Sequence, residues 1–404
     1  MRKILFIIIT FVLFFPSFVY AETFNLYSDN VLFYNLSEDK VMYEKNADEK
    51  AMIASLTKVI SVSVILDYID EEDFDKKIDF KKVDFKYLQK NDLSISSYDR
   101  NKSYTYRDFL YSFVMESSAD CGYALSYLVA SDIEEFSSMM NEKAKSLGMN
   151  NSHFDNPVGI DSKGNYSTMR DMVTFMKSAL KNKTLKELMS TFSYKASDGT
   201  KISHTIKWYT EGKDLKMPYL KGGKTGYNDI PGFALLSYAE KDGVTYILAT
   251  TNADYNYFIP RHFVDAKTIY DYYFKNYGYK KLLNKNDEVY TLDTKYTNKK
   301  VVLKASDDVL YYLKNNYKKE DVSIKVDSFN DKRFSYKKGD KLGKINVYYK
   351  DTLVKEIDAI ACNSSSFSFI KFISYNKLIF IAGFVYFIII FSTYLIIRKI
   401  KNRY

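Results

Sequence analysis

The chain has 404 residues, enough for two globular units and additional terminal segments. Its formal net charge is +9, but two positive charges lie in the first three residues and four in the last seven, where no acidic residue occurs. The remainder carries only +3, which argues against a nucleic-acid-binding surface. The three histidines and two cysteines do not stand at metal-ligand spacing, so the sequence predicts no metal or cofactor.

The N-terminal residues are typical of a secretory signal peptide. Arg2 and Lys3 precede an apolar run, and Val19-Tyr20-Ala21 fits a small-residue cleavage site. We therefore expect residues 1–21 to be removed from the mature protein. The alternative is an uncleaved N-terminal anchor.

A second long apolar segment lies near the C-terminus. Leu378–Ile397 contains 20 residues without a charge, which is long enough to cross a bilayer as a helix. Four basic residues follow within residues 398–404, so the positive-inside rule predicts a cytoplasmic tip. The sequence thus predicts a single-pass membrane protein whose preceding domains lie outside the cell.

Between these segments, the periodicity predicts first strands and then helices. Residues 28–45 alternate on either side of Asn35–Asp39, which predicts a β-hairpin. Apolar residues recur at helical spacing from Ser55 onward. Further helices are predicted for Thr105–Met115, with a capping box at Asp108, and for Asp120–Val129. Another helix is expected to begin at Ser131 and end at Gly148, and a last one to be capped by Ser167 and continue to about Lys181.

The spacing then returns to that of strands. Residues 231–253 predict two strands around Asp242-Gly243, a strong hairpin signal, and residues 261–279 predict a closing helix. Strands at both sequence ends therefore bracket a block of helices. This order indicates an α+β domain over residues 22–280, with an antiparallel sheet and helices on its faces.

The sequence after this domain consists of short segments in which apolar and polar residues alternate. Residues 281–361 predict a small β-rich domain. Residues 362–377, polar at their start, are expected to form a linker to the membrane helix.

Ser55 and Lys58 are the first candidate for chemistry. The pattern Ser-x-x-Lys is weak by itself and also occurs elsewhere, for example at Ser37–Lys40 and Ser374–Lys377 in charged turns or linkers. Ser55–Lys58 differs because it opens a long apolar helix, where residues three apart share a face. Desolvation and the positive helix end would lower the pKa of Lys58, so a neutral amine could take a proton from Ser55.

Residues 221–226, "KGGKTG", are the second candidate. They precede the Asp-Gly hairpin and are expected at a sheet edge, which can pair with an extended peptide. Lys224 and Thr225 could hold a terminal carboxylate, and Gly226 would let a substrate approach the backbone. A solvated turn is the alternative interpretation.

Four stretches occur in the order and approximate spacing of one enzyme family: "MIASLTKVI", "MESSADCGYAL", "NPVGIDSKGNYSTMRDM" and "YLKGGKTGYNDIPGFALLSYA". Together they resemble the serine D-alanyl-D-alanine carboxypeptidases of peptidase family S11, which are low-molecular-mass penicillin-binding proteins. The resemblance covers residues 25–280 in detail and 281–360 more loosely. It implies a β-lactamase/transpeptidase-like fold and an enzyme that removes the terminal D-alanine of peptidoglycan pentapeptides through an acyl-enzyme.

The resemblance also implies roles for individual residues. Ser55 matches the nucleophile and Lys58 its proton acceptor. Ser117 matches the first residue of the family's Ser-x-Asn motif, which helps to pass the proton to the leaving D-alanine. Lys224 and Thr225 match contacts to the substrate carboxylate.

The remaining implications concern the oxyanion and the partners. The backbone N–H groups of Ser55 and Tyr227 match the oxyanion hole. The implied partners are the peptidoglycan stem peptide, β-lactam antibiotics as covalent inhibitors, and the bacterial cell membrane.

One departure from the family pattern bears on activity. The third position of Ser-x-Asn is Ala119, so an amide that would orient substrate and Lys58 is absent. Ser118 or Asn228 are possible substitutes, whereas Asp120 is expected to point elsewhere. A missing positioning group of this kind can cost about 10²–10³ in rate.

Two other functions therefore stay open. A non-catalytic or weakly active wall sensor is favoured by Ala119 alone. A β-lactamase would need a deacylating base, and no Glu-x-x-x-Asn stretch follows Ser117.

Overall fold

The computed structural model of the protein describes residues 22–402 except 161, 212–213, 230–231, 255, 257–258 and 328–330. The expected signal peptide lies outside the described residues. The chain divides into two units at the junction of Lys275 and Asn276.

Strands from both sequence ends of the first unit form its main sheet. Five of the described strands pair antiparallel in the order β2-β1-β9-β8-β7. The described strands of this unit are β1 (Ser28–Asn35), β2 (Lys40–Lys45), β3 (Lys77–Ile78), β4 (Tyr104–Thr105), β5 (Ser193–Lys195), β6 (Lys201–Ser203), β7 (Leu220–Asn228), β8 (Gly232–Lys241) and β9 (Val244–Ala253).

Both predicted hairpins of this sheet are confirmed. Val31 of β1 lies opposite Lys45 of β2 on one side and opposite Thr250 of β9 on the other. The β8–β9 turn places Asp242 and Gly243 at φ values of 51° and 78°. Two consecutive positive φ values are typical of the tight hairpin turn that Asp-Gly favours.

Helices pack on both faces of the sheet, as the sequence predicts. The described helices of this unit are α1 (Thr57–Ile65), α2 (Phe85–Lys90), α3 (Tyr106–Met115), α4 (Ala119–Val129), α5 (Ile133–Ser146), α6 (Met169–Ala179), α7 (Lys183–Ser190), α8 (Thr205–Thr210) and α9 (Arg261–Asn276). Most lie on one face, and α9 packs against the other, where Tyr270 and Tyr273 contact the ring of Phe33.

Helix α1 is the central helix of the first unit. Every one of its residues except Ser63 is buried, as expected for a helix that is apolar on most sides. Its start, with Lys58 in the first turn, therefore lies inside the protein and not on an outer surface.

The helix caps agree with the sequence in one case and differ in two. The capping box at Thr105 and Asp108 is present, with both N–H···O distances at 3.0 Å. Ser131 and Ser167 are not caps, because in each case the next residue caps the helix. The Asp132 carboxylate accepts from the Glu135 N–H at the start of α5, and Thr168 caps α6. Helices α2, α7 and α8 were not predicted from the sequence.

The second unit contains the small β-rich domain. Its described strands are β10 (Tyr277–Leu283), β11 (Glu288–Leu292), β12 (Val301–Ala305), β13 (Val309–Lys314), β14 (Val322–Asp327), β15 (Lys341–Tyr349) and β16 (Thr352–Ala361), followed by the helices α10 (Phe369–Tyr375) and α11 (Lys377–Lys401). Five strands pair in the order β11-β12-β16-β15-β14, and β10 pairs with β13.

The segment expected as a linker is instead attached to this β-rich domain. Ser365 is buried, and its backbone exchanges two hydrogen bonds with Tyr336, at 2.9 and 3.0 Å. Residues 369–375 then form α10. The polar composition of residues 362–368 reflects hydrogen bonding to neighbouring loops, which sequence alone cannot distinguish from solvation.

Helix α11 agrees with the expected membrane segment. It is the one helix among the described residues that is long and apolar enough to cross a membrane, with a mean hydropathy of 2.4. None of its residues is buried by the rest of the protein.

The first strand of the main sheet is held by a buried carboxylate. Asp265 of α9 accepts hydrogen bonds from the Tyr27 N–H, the Ser28 N–H and the Ser28 hydroxyl at 3.0, 2.7 and 2.7 Å. We expect Asp265→Ala to lower the free energy of unfolding by about 3 kcal/mol, since these buried donors lose a charged acceptor.

The measurement is urea unfolding of the detergent-solubilised protein, followed by the fluorescence of Trp208, the single tryptophan of the chain. The matched control is Thr268→Ala on an exposed position of the same helix. Equal stability of the two variants would contradict the role assigned to Asp265.

Candidate active site

Ser55 and Lys58 meet at the start of the central helix. Ser55 lies in a 3₁₀ turn, Ala54–Leu56, immediately before α1. Ala54 has a φ of 47°, an unusual value for a residue with a side chain. The Ser55 Oγ and the Lys58 Nζ are 2.6 Å apart, which is within the range for proton transfer between them.

The amine of Lys58 is buried and has a second partner. It donates to the backbone carbonyl of Val158 at 2.7 Å. Burial first, and the positive charge of Lys224 second, hold the pKa of Lys58 well below its ordinary value. The sequence predicts that desolvation and the helix dipole lower this pKa, and the structure adds the charge of Lys224 as a further cause. A neutral Lys58 is able to accept a proton from Ser55 at neutral pH.

A second serine and a second lysine complete the polar centre. Ser117 lies in the break between α3 and α4 with a φ of 63°. The Lys224 Nζ donates to the Ser117 Oγ at 3.0 Å and to the Thr225 carbonyl at 2.8 Å. Lys224 is fully buried, and burial lowers its pKa to about 7.

Strand β7 brings Lys224 and Thr225 beside the serine turn. It is the last strand of the main sheet, so its outer side has no strand partner among the described strands. A Cβ on Gly226 would stand 3.1 Å from the Ile53 carbonyl oxygen and 3.2 Å from the Ser55 nitrogen. Glycine at position 226 therefore allows β7 to lie against the turn that carries Ser55. The sequence suggested a different reason for this glycine, namely room for a substrate near the backbone.

These groups surround one cavity of about 280 Å³. Most of the residues singled out from sequence line it, but Lys224 lies behind the wall and reaches it through Ser117. The lining residues are Ser55, Lys58, Asp92, Leu93, Ser94, Glu116, Ser117, Val158, Gly159, Thr205, Tyr209, Thr225, Gly226, Tyr227 and Asn228.

Ala119 lies outside this cavity wall. It is fully buried, and its N–H donates to the Ser94 carbonyl at 2.7 Å. Of the two possible substitutes, Ser118 is turned into the protein, where its Oγ accepts from Ser112 at 2.9 Å. Asn228 lines the cavity and donates to the Gly159 carbonyl at 3.1 Å.

Asp120 points away from this centre, as expected. Its carboxylate accepts from the Ser96 N–H and hydroxyl at 2.9 and 2.6 Å. No group of three or more histidine, cysteine or acidic side chains that could hold a metal occurs among the described residues.

The loop of residues 156–160 was missed as a contributor to the site. The Asn156 Oδ1 accepts from the N–H groups of Val158, Gly159 and Ile160 at 3.2, 2.8 and 3.0 Å. This asparagine thereby fixes the loop whose carbonyl meets Lys58. The Asn-Pro dipeptide is a turn signal that marks the loop, but not its contact.

The serine beside a buried lysine amine, the second Ser–Lys pair and the edge strand are typical of a serine enzyme of the acyl-transfer class. Residues 19–255 match the D-alanyl-D-alanine carboxypeptidase family of peptidase S11, and residues 277–365 match the C-terminal domain of penicillin-binding protein 5. The chain therefore belongs to the D-alanyl-D-alanine carboxypeptidase family of low-molecular-mass penicillin-binding proteins.

Individual relatives agree with this assignment. The D-alanyl-D-alanine carboxypeptidase DacF of Bacillus subtilis is 25% identical over 324 residues, covering 77% of this chain and 79% of its own. The D-alanyl-D-alanine carboxypeptidase of Streptomyces sp. strain K15 is 30% identical over 246 residues, covering 58% of this chain and 82% of its own.

Solved structures show the same fold. A mutant of the Streptomyces K15 DD-transpeptidase has a TM-score of 0.56 at 26% identity and covers 63% of this chain and 100% of its own. Penicillin-binding protein 5 from Haemophilus influenzae has a TM-score of 0.60 at 19% identity and covers 85% of this chain and 99% of its own.

We predict that Asn156→Ala slows acylation of Ser55 by about 10²-fold, because the Val158 carbonyl no longer orients the Lys58 amine. The measurement is the rate of reaction with fluorescent penicillin under single-turnover conditions.

Two further variants make the prediction specific. Asn156→Asp keeps an oxygen for the three N–H groups but replaces the amide that donates to Asp155 at 2.9 Å by a like charge, so it should recover only part of the rate. Asn150→Ala, an exposed neighbour in the chain, should react like the wild type. A normal rate for Asn156→Ala would refute the positioning role.

Proposed function

We propose that the protein is a membrane-anchored serine carboxypeptidase that removes the terminal D-alanine from peptidoglycan pentapeptides. Family membership supports this reaction class. The observation that carries the mechanism is the 2.6 Å contact between the Ser55 hydroxyl and the buried amine of Lys58. A buried amine with a lowered pKa is the base that a serine nucleophile needs.

In the acylation step, the Ser55 Oγ attacks the carbonyl carbon of the penultimate D-alanine while its proton passes to Lys58. The Val158 carbonyl accepts one N–H of the amine, which holds its nitrogen beside Ser55. Negative charge develops on the carbonyl oxygen, and the N–H groups of Ser55 and Tyr227 are proposed to stabilise it.

Breakdown of this intermediate needs a proton on the leaving nitrogen. Ser117 is suited to deliver it, since its hydroxyl lines the cavity and contacts the Lys224 amine at 3.0 Å. Ser117 gives its hydroxyl proton to the leaving nitrogen and takes in return the proton that Lys58 removed from Ser55, so that Lys58 is neutral again. The C–N bond breaks, D-alanine leaves, and an ester to Ser55 remains. Water then attacks this ester while Lys58 accepts a proton from it, and Lys58 passes that proton to the Ser55 Oγ as the ester bond breaks and the shortened peptide leaves.

Strand β7 is proposed to seat the substrate. Its outer side can pair with an extended peptide through main-chain hydrogen bonds. The Thr225 hydroxyl donates to Thr205 at 2.7 Å, and both residues line the cavity. With substrate bound, the Thr225 hydroxyl would turn its proton to the terminal carboxylate instead. Lys224 supplies positive charge from behind that wall.

The protein is proposed to act on the outer surface of the bacterial cell membrane. Helix α11 would cross the bilayer once, and the basic residues after it favour a cytoplasmic C-terminus. The peptidoglycan stem peptide is then on the same side as the active site. β-Lactams would acylate Ser55 and act as covalent inhibitors.

The first test compares Ser55→Ala with the wild type. We expect the variant to lose both labelling by fluorescent penicillin and release of D-alanine from a pentapeptide, because no nucleophile remains. The matched control is Ser374→Ala, which removes the serine of another Ser-x-x-Lys pair at an exposed position and should change neither activity.

The outcome also separates the alternatives. A wild-type protein that takes no label and releases no D-alanine would be a non-catalytic wall sensor, the reading that Ala119 favours. Rapid loss of label with turnover of the antibiotic would indicate a β-lactamase.

A second prediction concerns pH. The pKa of Lys224 is lowered to about 7, so raising the pH through that value removes its positive charge. We expect the KM for a peptide with a free terminal carboxylate to rise above about pH 7, since the attraction for the carboxylate is lost.

Lys224→Arg is the diagnostic variant, because arginine keeps its charge across this range. Any activity that it retains should show a KM that no longer depends on pH in this interval. A KM of the wild-type enzyme that is constant from pH 6 to about pH 9 would refute the assignment of charge to Lys224.

A further inference from the structure

Five aromatic rings form a continuous cluster on the second unit, which we name the aromatic collar. Neighbouring ring centroids are 5.1 to 5.9 Å apart. The rings come from two loops of the β-rich domain, from α10 and from Phe367, which lies two residues before α10. The members are Tyr296, Phe334, Phe367, Phe372 and Tyr375.

The collar is attached firmly to the β-rich domain. The Ser368 N–H donates to the Tyr296 carbonyl at 2.8 Å, and the Asn298 N–H donates to the Ser366 carbonyl at 2.9 Å. An ion pair between Lys295 and Asp331, at 2.7 Å, joins the two loops that carry Tyr296 and Phe334. These contacts make the collar a defined surface of the domain and not part of a loose tail.

Much of this surface is apolar and exposed. Phe334 is 58% exposed, Phe367 44% and Tyr375 48%, and the adjacent α10 residues Phe369 and Ile370 are 63% and 82% exposed. So many large apolar side chains together are uncommon on a surface that meets only water, and they mark a contact with a partner or a membrane.

The position of the collar in the chain selects the membrane. Helix α10 ends at Tyr375 and α11 begins at Lys377. The ring of Phe372 in the collar lies 6.0 Å from the ring of Phe380 in α11. The collar is therefore within about one helical turn of the apolar span, at the level where tyrosine and other aromatic rings meet the lipid headgroups.

Basic residues lie beside the same surface. Lys371 belongs to α10 and its Nζ reaches the Thr294 carbonyl at 3.5 Å, while Lys377 is exposed at the start of α11. Ammonium groups at this level are suited to anionic lipid phosphates. Aromatic rings with flanking lysines are the combination that an interfacial surface requires.

We propose that the aromatic collar, with Phe369 and Ile370, inserts into the headgroup region of the membrane. The β-rich domain would then rest on the lipid surface instead of moving freely on a linker. This inference rests on the proposed single membrane span. It adds a second contact between the protein and the membrane. The partner is the phospholipid interface, and a second copy of the chain is the competing occupant.

The experiment uses the full-length protein in liposomes of phosphatidylcholine and phosphatidylglycerol. Trp208→Phe removes the single tryptophan of the chain, and Phe334→Trp or Phe367→Trp then places one reporter in the collar. Quenching is measured with lipids brominated near the top of their acyl chains. Tyr290→Trp and Leu353→Trp, at exposed positions of β11 and β16, are the matched controls.

We expect the two collar reporters to lose several-fold more fluorescence than the two controls. Equal quenching at all four positions would overturn the proposal. So would quenching that follows the protein density in the liposomes, since that outcome identifies a second copy as the partner. Failure to float with alkali-washed liposomes would refute the span and this inference together, whereas penicillin labelling tests the catalytic proposal separately.

Discussion

The burial of the Lys58 amine is the constraint on which the rest of the site depends. A buried lysine is costly when charged, and this cost favours a neutral, basic amine beside Ser55, the proposed nucleophile. The central helix α1 removes Lys58 from water, the turn before it supplies Ser55, and the loop held by Asn156 supplies the Val158 carbonyl. Two separate parts of the chain, residues 54–65 and the loop of residues 156–160, thus surround one amine.

A second buried lysine makes this arrangement stronger. Lys224 lies on β7, contacts Ser117, and its charge lowers the pKa of Lys58 further. Burying two ammonium groups close together costs free energy. Lys58 therefore tends to lose its proton when Lys224 is protonated. Gly226 allows β7, which carries Lys224, to lie close to the Ser55 turn, because a side chain at this position would push the strand away.

With alanine at position 119, Lys58 still has two hydrogen-bond partners, Ser55 and Val158. Ala119 is packed inside the protein and its backbone is bonded to Ser94. The Val158 carbonyl gives the Lys58 amine a second partner, and Asn228 offers an amide within the same cavity. The geometry therefore supports an enzyme, which the sequence also favoured over a wall sensor that Ala119 alone supported.

Periodicity and motifs in the sequence determined the hairpins of the main sheet, most of the longer helices and the apolar C-terminal helix. They also determined the Ser55, Ser117 and Lys224 motifs, because each of these features depends on residues close together in the chain. Only the tertiary structure decided that Val158 meets Lys58, that Lys224 stands behind the cavity wall, and that residues 362–375 join the β-rich domain. These contacts link segments up to about 100 residues apart, and burial and pairing at that range follow from packing, which no local pattern encodes.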